Sequence, residues 1–305
     1  MKISTRATCI ICVLEDIYAA AESVPLDEAD KQRIIRETIA MLNRELSKEQ
    51  VPSFYITEAH RILKKVSGIE DPFKKERRLC NEVGLRVVEW VDTQLKAMSE
   101  SYERFRFLAK WSVAGNLIDI RTVGTGYNLG RDIYIQLFEA FNEGLAVDEL
   151  RAIFKLVKGA RKILYILDNV GKIALDRLFI RELKEYGNFI VAAVRGGPMT
   201  SDATLNDLSF VRVDRVVDKI ITTGPDTLGF SLIEASQEFL REMDTADVII
   251  GKGQANFYSL LTYRSNLAGD VAALFRTKCN YISSLFGKKG KIGIATLIPD
   301  EDKKG

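Results

Sequence analysis

Residues 162–172, K-I-L-Y-I-L-D-N-V-G-K, form an apolar run that stops at Asp168 and Asn169. The pattern recurs in residues 188–204, N-F-I-V-A-A-V-R-G-G-P-M-T-S-D-A-T. Each run is short, contains β-branched or aromatic residues and ends in a glycine-containing turn, which predicts a fully buried strand. Because the carboxyl ends of parallel strands lie at one edge of a sheet, this edge is where we expect a ligand to bind.

Polar side chains follow both predicted strands. Asp168 and Asn169 come after the first, and Asp202 follows the glycine turn after the second. At neighbouring strand ends these side chains would converge, and two carboxylates with one amide suit a hard divalent cation such as Mg²⁺ or Mn²⁺. Taken singly, each acidic residue is more often a helix N-cap, whereas two such elements side by side favour a metal site. Arg195, directly after the second strand, is either a surface arginine or an anion clamp.

Composition excludes several classes of protein. The 305 residues are 47% hydrophobic and 28% charged, which is typical of a globular protein with one large α/β domain or two smaller ones. The net charge of +2 offers no pull toward nucleic acid, and no apolar run approaches the ~20 residues that span a bilayer. We therefore expect neither nucleic acid nor a membrane as a partner. The single histidine, His60, leaves no room for a multi-histidine zinc site.

Two kinds of periodicity divide the chain. Residues 1–155 are predicted to be a mainly helical region, residues 156–298 a three-layer α/β/α domain with a doubly wound, mostly parallel sheet, and residues 299–305 a flexible tail. The expected helices are 27–46, 53–66, 71–95, 101–113, 132–142, 147–157, 173–186 and 229–243. The expected strands are 163–167, 189–194, 216–222, 247–251 and 292–297.

A lysine-bearing glycine turn follows a later strand, in residues 248–256, V-I-I-G-K-G-Q-A-N. Its glycines would let backbone N–H groups approach a phosphate while Lys252 supplies charge, although plain surface turns have the same pattern. The turn is not a Walker A loop. A dinucleotide-binding arrangement is also absent, because residues 124–130, G-T-G-Y-N-L-G, have one residue too many and no preceding strand.

The cysteines point to a reducing compartment. Four of them are too few for a disulfide scaffold, so we expect a cytoplasmic protein. Cys9 and Cys12 form a C-x-x-C pattern that fits half of a zinc site, a redox pair or two buried thiols. Cys80 lies in a helical pattern and is expected in the core.

Six motifs in order resemble one known family, the metal-dependent damage-control phosphatases. This family is also called domain of unknown function eighty-nine, or ARMT-like, and the similarity is greatest to its archaeal-type subfamily with C-x-x-C, G-N-x-x-D and K-C signatures. The resemblance covers about residues 5–298. The motifs are Cys9-x-x-Cys12, Gly115-Asn116-x-x-Asp119, Asp168-Asn169-x-Gly171, Arg195-Gly196-Gly197-Pro198 with Ser201-Asp202, Lys252-Gly253-x-x-Asn256, and Lys278-Cys279.

The resemblance implies a helical region packed on an α/β/α domain, one divalent metal and hydrolysis of small phosphate monoesters. Asp168, Asn169 and Asp202 match the family's metal ligands. The other matches are Asn116 and Asp119 near the substrate, Lys252 and Asn256 on the phosphate side, and the C-terminal Lys278. Mg²⁺ and Mn²⁺ are the expected metals, with Ni²⁺ and Co²⁺ as further candidates. The expected partner is a small phosphorylated metabolite.

One residue departs from the family pattern. An acidic residue usually follows D-N-x-G in this family, and here Lys172 stands there, which reverses a charge beside the expected metal. In the predicted mechanism, Lys252, Lys278 and Arg195 would stabilise the phosphoryl charge, and Asp119 or Asp202 would take a proton from water; attack by Asp168 itself is the alternative. Two other functions stay open: a non-catalytic phosphometabolite-binding protein and a carboxyl methyltransferase.

Overall fold

The first part of the chain is helical. The computed structural model describes residues 3–48, 50–119 and 132–300. Asp27 starts the second helix by accepting a hydrogen bond from the Asp30 N–H, and Gly68, in the left-handed conformation, ends the third. The α-helices described before the sheet are α1 (Ala7–Ser23), α2 (Glu28–Glu45), α3 (Pro52–Ser67), α4 (Lys74–Leu95), α5 (Ser101–Ala114) and α6 (Asp132–Glu143).

A mostly parallel sheet follows, as the sequence predicted. Its strands are β1 (Val147–Asp148), β2 (Lys162–Ile166), β3 (Phe189–Val194), β4 (Lys219–Thr222), β5 (Val248–Lys252), β6 (Asp270–Arg276) and β7 (Gly293–Leu297). Their order is β1-β7-β6-β5-β2-β3-β4, and only the β6–β7 pair is antiparallel among the described residues. The chain runs outward from β2 to β3 on one side and from β5 to β6 on the other. The crevice between β2 and β5 is therefore a topological switch point.

Helices cover both faces of the sheet. Ile163 and Tyr165 of β2 pack in one hydrophobic cluster, and Leu164 and Ile166 pack in another on the opposite face. This alternation explains why the strands are almost continuously apolar. The α-helices described in this part are α7 (Leu150–Gly159), α8 (Lys172–Lys184), α9 (Leu205–Val211), α10 (Gln237–Thr245), α11 (Gly253–Thr262) and α12 (Asn280–Ser284).

Several secondary-structure predictions were wrong. β6 was not predicted, because its run of alanine and large apolar residues suits a buried helix as well as a strand. Residues 229–236 are not α-helical, and the predicted helix at 147–157 begins instead with β1, a two-residue strand paired with β7. The lysine-bearing turn is not a loop, since Lys252 ends β5 and Gly253 starts α11.

Helices α1, α2 and α3 share a hydrophobic core of their own. His60 of α3 is buried there, and its Nε2 lies 2.6 Å from Oδ2 of Asp16 on α1. Cys80 is fully buried in α4, as expected. The division into a helical region, a catalytic domain and a tail stays a prediction. Residues 124–130 and 301–305 lie outside the described residues.

No helix in the described ranges is both long enough and apolar enough to pass through a membrane.

Candidate active site

The turns after β2 and β3 are joined by backbone hydrogen bonds. The Ala203 N–H donates to the Asp168 carbonyl at 2.8 Å, and the Val170 N–H donates to the Ser201 carbonyl at 2.8 Å. These bonds place Asp168, Asn169 and Asp202 together at the carboxyl edge of the sheet, where all three are buried. The convergence depends on β2 and β3 being adjacent parallel strands.

Asp168 is held by a buried ammonium group. Lys172, the first residue of α8, places its Nζ 2.8 Å from Oδ2 of Asp168 and 3.3 Å from Oδ1 of Asn116. The Lys172 side chain is fully buried. Asn116 therefore contacts the lysine that departs from the family pattern, and its amide is part of the environment of Asp168.

Asp202 forms a buried salt bridge with an arginine. Arg195 donates from Nε to Oδ2 of Asp202 at 2.7 Å and from Nη2 to Oδ1 of Asn256 at 2.9 Å. Its Nη1 is buried and makes no hydrogen bond to any described residue. Burial raises the pKa of Asp202 above its ordinary value; Arg195 opposes this shift, whereas the charge of Asp168 adds to it. Arg195 is thus a buried partner of Asp202 rather than a surface arginine.

Asp119 is the centre of a second polar group. Its Oδ2 accepts a hydrogen bond from Asn169 Nδ2 at 2.8 Å, and its Oδ1 accepts one from Ser201 Oγ at 2.8 Å. Lys278 Nζ lies 3.2 Å from Oδ2 of the same carboxylate. Burial lowers the pKa of Lys278, but the carboxylates of Asp119, Asp168 and Asp202 together raise this pKa by more than burial lowers it. The net shift is upward, so this lysine stays charged.

Lys252 lies deeper than expected for a phosphate ligand. Its fully buried Nζ donates to Ser112 Oγ at 2.6 Å and lies 3.3 Å from Oδ1 of Asp176. Burial lowers the pKa of Lys252 to about 8. The charge on Lys172 lowers this pKa as well, whereas the carboxylate of Asp176 raises it. Tyr165 also donates to Asp176 Oδ1, at 2.8 Å.

These groups adjoin a cavity of about 640 Å³. Asp119, Asp168, Asp202 and Lys278 line it, together with Ser201. In the part of the chain that the structure describes, five other predicted site residues do not line it: Asn116, Asn169, Arg195, Lys252 and Asn256. The rest of the lining includes apolar and aromatic side chains from α3, from the segment after β4, from α11 and from the segment after β6, among them Pro52, Ile56, Leu228, Tyr258 and Tyr281.

Sequence reasoning assigned no role to Ser201, Asp176 or Ser112. Ser201 had a signal, because it directly precedes Asp202 in the same turn. Asp176 follows Lys172 by four residues, so the two lie on one face of α8, but nothing local indicates that it pairs with Lys252. Ser112 of α5 is 140 residues from Lys252 in the chain. Only the packing of α5 and α8 against the sheet brings these groups together.

The donor atoms fit a hard cation. Oδ2 of Asp168 accepts from Lys172 and Oδ2 of Asp202 accepts from Arg195, so Oδ1 of each carboxylate is the atom that would bind a cation. Within the described ranges, no three His, Cys, Asp or Glu side chains could hold a metal ion by themselves. The amide nitrogen of Asn169 donates to Asp119, and its amide oxygen would be the third oxygen of such a set. An all-oxygen set of this kind suits Mg²⁺ or Mn²⁺.

Comparison with known proteins agrees with the motifs. The chain is similar to an uncharacterized protein of Methanocaldococcus jannaschii, with 33% identity over 94% of this chain and 93% of the relative. It is 29% identical to a damage-control phosphatase of Archaeoglobus fulgidus, over 94% of this chain and 96% of that one. A damage-control phosphatase of Pyrococcus horikoshii is 28% identical over 89% of this chain and 90% of its own length.

The fold and the family model give the same result. The crystal structure of a DUF89 family protein from Pyrococcus horikoshii matches with a TM-score of 0.84 and 25% identity, covering 97% of this chain and 100% of that chain. The model of the damage-control phosphatase ARMT1-like domain matches residues 5–292. This match spans almost the whole chain and includes every motif described above. The chain therefore belongs to the damage-control phosphatase ARMT1-like domain family.

Proposed function

We propose that this protein is a metal-dependent phosphatase that hydrolyses phosphate monoesters of small metabolites, such as sugar phosphates or damaged nucleotides. A phosphatase role in the family is supported by the two relatives named damage-control phosphatases. The observation that carries the proposal is one cavity lined by Asp168, Asp202 and Lys278 together. Its carboxylates suit a divalent cation, and its lysine suits the phosphate.

In the proposed reaction, some side chains bind the metal and another binds the phosphate. A divalent cation held by oxygens of Asp168, Asn169 and Asp202 would supply Lewis-acid chemistry at the phosphoryl group. Lys278, whose side chain is 36% exposed and lines the cavity, is placed to bind the phosphate oxygens and stabilise their charge. Mg²⁺ and Mn²⁺ are the proposed metals, and Ni²⁺ and Co²⁺ are further candidates.

The proton acceptor is one of two carboxylates. Asp202 is oriented by Arg195, and Asp119 is oriented by Ser201 and Asn169. Either could accept the proton of an attacking water, whereas direct attack by Asp168 would form an aspartyl phosphate instead. Denaturing a reaction with ³²P-labelled substrate distinguishes the two routes, because only the second leaves label on the protein.

Phosphate release from a panel of phosphomonoesters tests the proposal. We expect turnover that EDTA abolishes and that Mg²⁺, Mn²⁺, Co²⁺ or Ni²⁺ restores. Asp168→Asn, which keeps the size of the side chain but removes its charge, should lower turnover by roughly a hundred- to a thousandfold. Release that is unaffected by EDTA and by this substitution would show that the site is wrongly assigned.

A non-catalytic phosphometabolite-binding protein is the second candidate. The observation that favours it is the buried ion pair between Lys172 and Asp168, because the ammonium group neutralises one of the two carboxylates meant for the metal. Under this hypothesis a phosphomonoester binds to the protein without being hydrolysed. Calorimetric binding of a panel member, with no phosphate released over hours in Mn²⁺, would support it.

A further inference from the structure

The cysteines are distributed unevenly in the structure. Cys9, Cys12 and Cys279 line the same cavity as the acidic residues, whereas Cys80 is fully buried in α4. Cys12 and Cys279 are exposed and Cys9 is half-buried. The proposed phosphatase chemistry uses none of these thiols. They form a nucleophilic cluster, here called the thiol cluster, that is accessible from the cavity.

The thiol cluster joins two distant segments of the chain. Cys9 and Cys12 are three residues apart on α1, so their side chains share one face of the helix. Cys279 comes from the segment after β6 and directly follows Lys278. Although part of the Cys12 side chain is exposed, the protein atoms packed around its thiol and the charge of Asp16 raise its pKa to about 11, and Cys279 and then Cys9 contribute to the same shift. Each of these two thiols is therefore an electrostatic neighbour of Cys12, and Cys279 has the larger effect.

A soft metal does not explain the cluster. Among the residues that the structure describes, no group of three cysteine, histidine or acidic side chains could hold a metal ion. A structural zinc site would need four such ligands in a tetrahedron. Thiol–disulfide exchange requires thiols that a small disulfide can reach, and both Cys12 and Cys279 are exposed.

We propose that the thiol cluster is a site of reversible oxidation, at which a low-molecular-weight disulfide converts Cys12 and Cys279 into an intramolecular disulfide. The thiolate of Cys279 attacks one sulfur of the small disulfide, which releases the first small thiol and leaves a mixed disulfide on Cys279. Cys12 then loses its proton and attacks the Cys279 sulfur, which releases the second small thiol. The protein loses two electrons and two protons, and the small disulfide gains both.

The bond would have a mechanical consequence for the cavity. It would tie α1 to the segment that carries Lys278, and both segments line the cavity. Access of a ligand to Lys278 would then depend on the redox state of the thiols. This proposal concerns the thiols alone and holds whether or not the protein is a phosphatase.

Peptide mapping by mass spectrometry tests the proposal. The folded protein is incubated with oxidised glutathione, alkylated without reduction, digested and analysed, with a dithiothreitol-treated sample as reference. We expect a Cys12–Cys279 peptide pair that dithiothreitol removes. Cys80→Ser is the matched control, because this thiol is buried outside the cavity, and it should give the same yield.

Two variants complete the test. The Cys12→Ser variant should stop at the mixed disulfide between Cys279 and glutathione. The Cys279→Ser variant should not form the disulfide-linked peptide pair that contains Cys12. Circular dichroism checks that each variant is folded. A wild-type protein that forms only a Cys9–Cys12 bond, only mixed disulfides, or no disulfide at all would overturn the proposal.

Discussion

Replacing Lys172 by Met tests whether its ion pair with Asp168 stabilises the fold and competes with a metal ion for this carboxylate. The substitution keeps the length of the side chain but removes the ammonium group 2.8 Å from Oδ2 of Asp168. Both side chains are almost completely buried, at 0% and 4% exposure. Removing one partner of a buried pair costs about 3–5 kcal/mol because the other charge is left uncompensated. We therefore expect the metal-free variant to lose about 3 kcal/mol of unfolding free energy.

The same substitution should favour metal binding. At an effective dielectric constant of about 20, unit charges about 4 Å apart attract by about 4 kcal/mol, and this attraction competes with a cation for Asp168. If a third of this attraction becomes available to the cation once the ammonium group is removed, Mn²⁺ binds the variant about tenfold more tightly than wild type, which corresponds to about 1.4 kcal/mol. Tighter binding would in turn return stability to the variant when Mn²⁺ is in excess.

Two measurements check these expectations without relying on turnover. Calorimetry gives the Kd for Mn²⁺, and urea unfolding in EDTA and in Mn²⁺ gives the stability of each form. Lys172→Arg is the matched control, since it keeps the charge and should leave the Kd within a few-fold of wild type. A Lys172→Met protein that is as stable as wild type in EDTA and binds Mn²⁺ no more tightly would refute the reasoning.

Three further predictions follow from the same network. Asp168→Ala should lower kcat by roughly a hundred- to a thousandfold while circular dichroism shows the fold retained, and wild-type turnover would contradict the site. Gly253→Ala should lower the unfolding free energy by about 1–3 kcal/mol, because Gly253 has a φ of +81° and an added Cβ would lie 1.9 Å from Oδ2 of Asp168. Urea unfolding measures this loss, with Gly159→Ala as the control because the space around Gly159 is open. The pKa of Lys252 is about 8 in the folded protein and about 10.4 in the unfolded chain. Because the unfolded state binds more protons between these pH values, the stability of the wild type should rise relative to that of Lys252→Met by about 2 kcal/mol as the pH increases from 8 to 10. Parallel stability curves for the two proteins would contradict the burial argument.

The local pattern of the sequence was sufficient for the strands that carry the site. β2 and β3 are short apolar runs that end in polar turns, so their type and approximate bounds could be predicted from hydrophobicity alone. Adjacency of the two strands then placed Asp168 and Asn169 beside Asp202. β6 could not be predicted in this way, because its two alanines and its leucine suit a helix and no glycine turn directly follows it.

The roles of the lysines could not be predicted locally. The glycine turn suggested that Lys252 meets a phosphate, yet Lys252 is enclosed with Asp176 and Ser112, and Lys278 is the lysine that lines the cavity. The charge environment of a lysine depends on every segment that packs around it. Neighbours in the chain account for only a small part of that environment.

The sequence by itself determined the fold class, the family and the edge of the sheet at which acidic residues meet. These follow from short-range periodicity and from ordered motifs, which act through neighbouring residues. Only the tertiary structure decided that Lys172 pairs with Asp168, that Arg195 supports Asp202, and that three cysteines share the cavity. Lys172 and Asp168 are four residues apart and Arg195 and Asp202 are seven apart, but their burial requires distant helices and turns to pack around them and exclude water. No local pattern specifies which distant segments will meet.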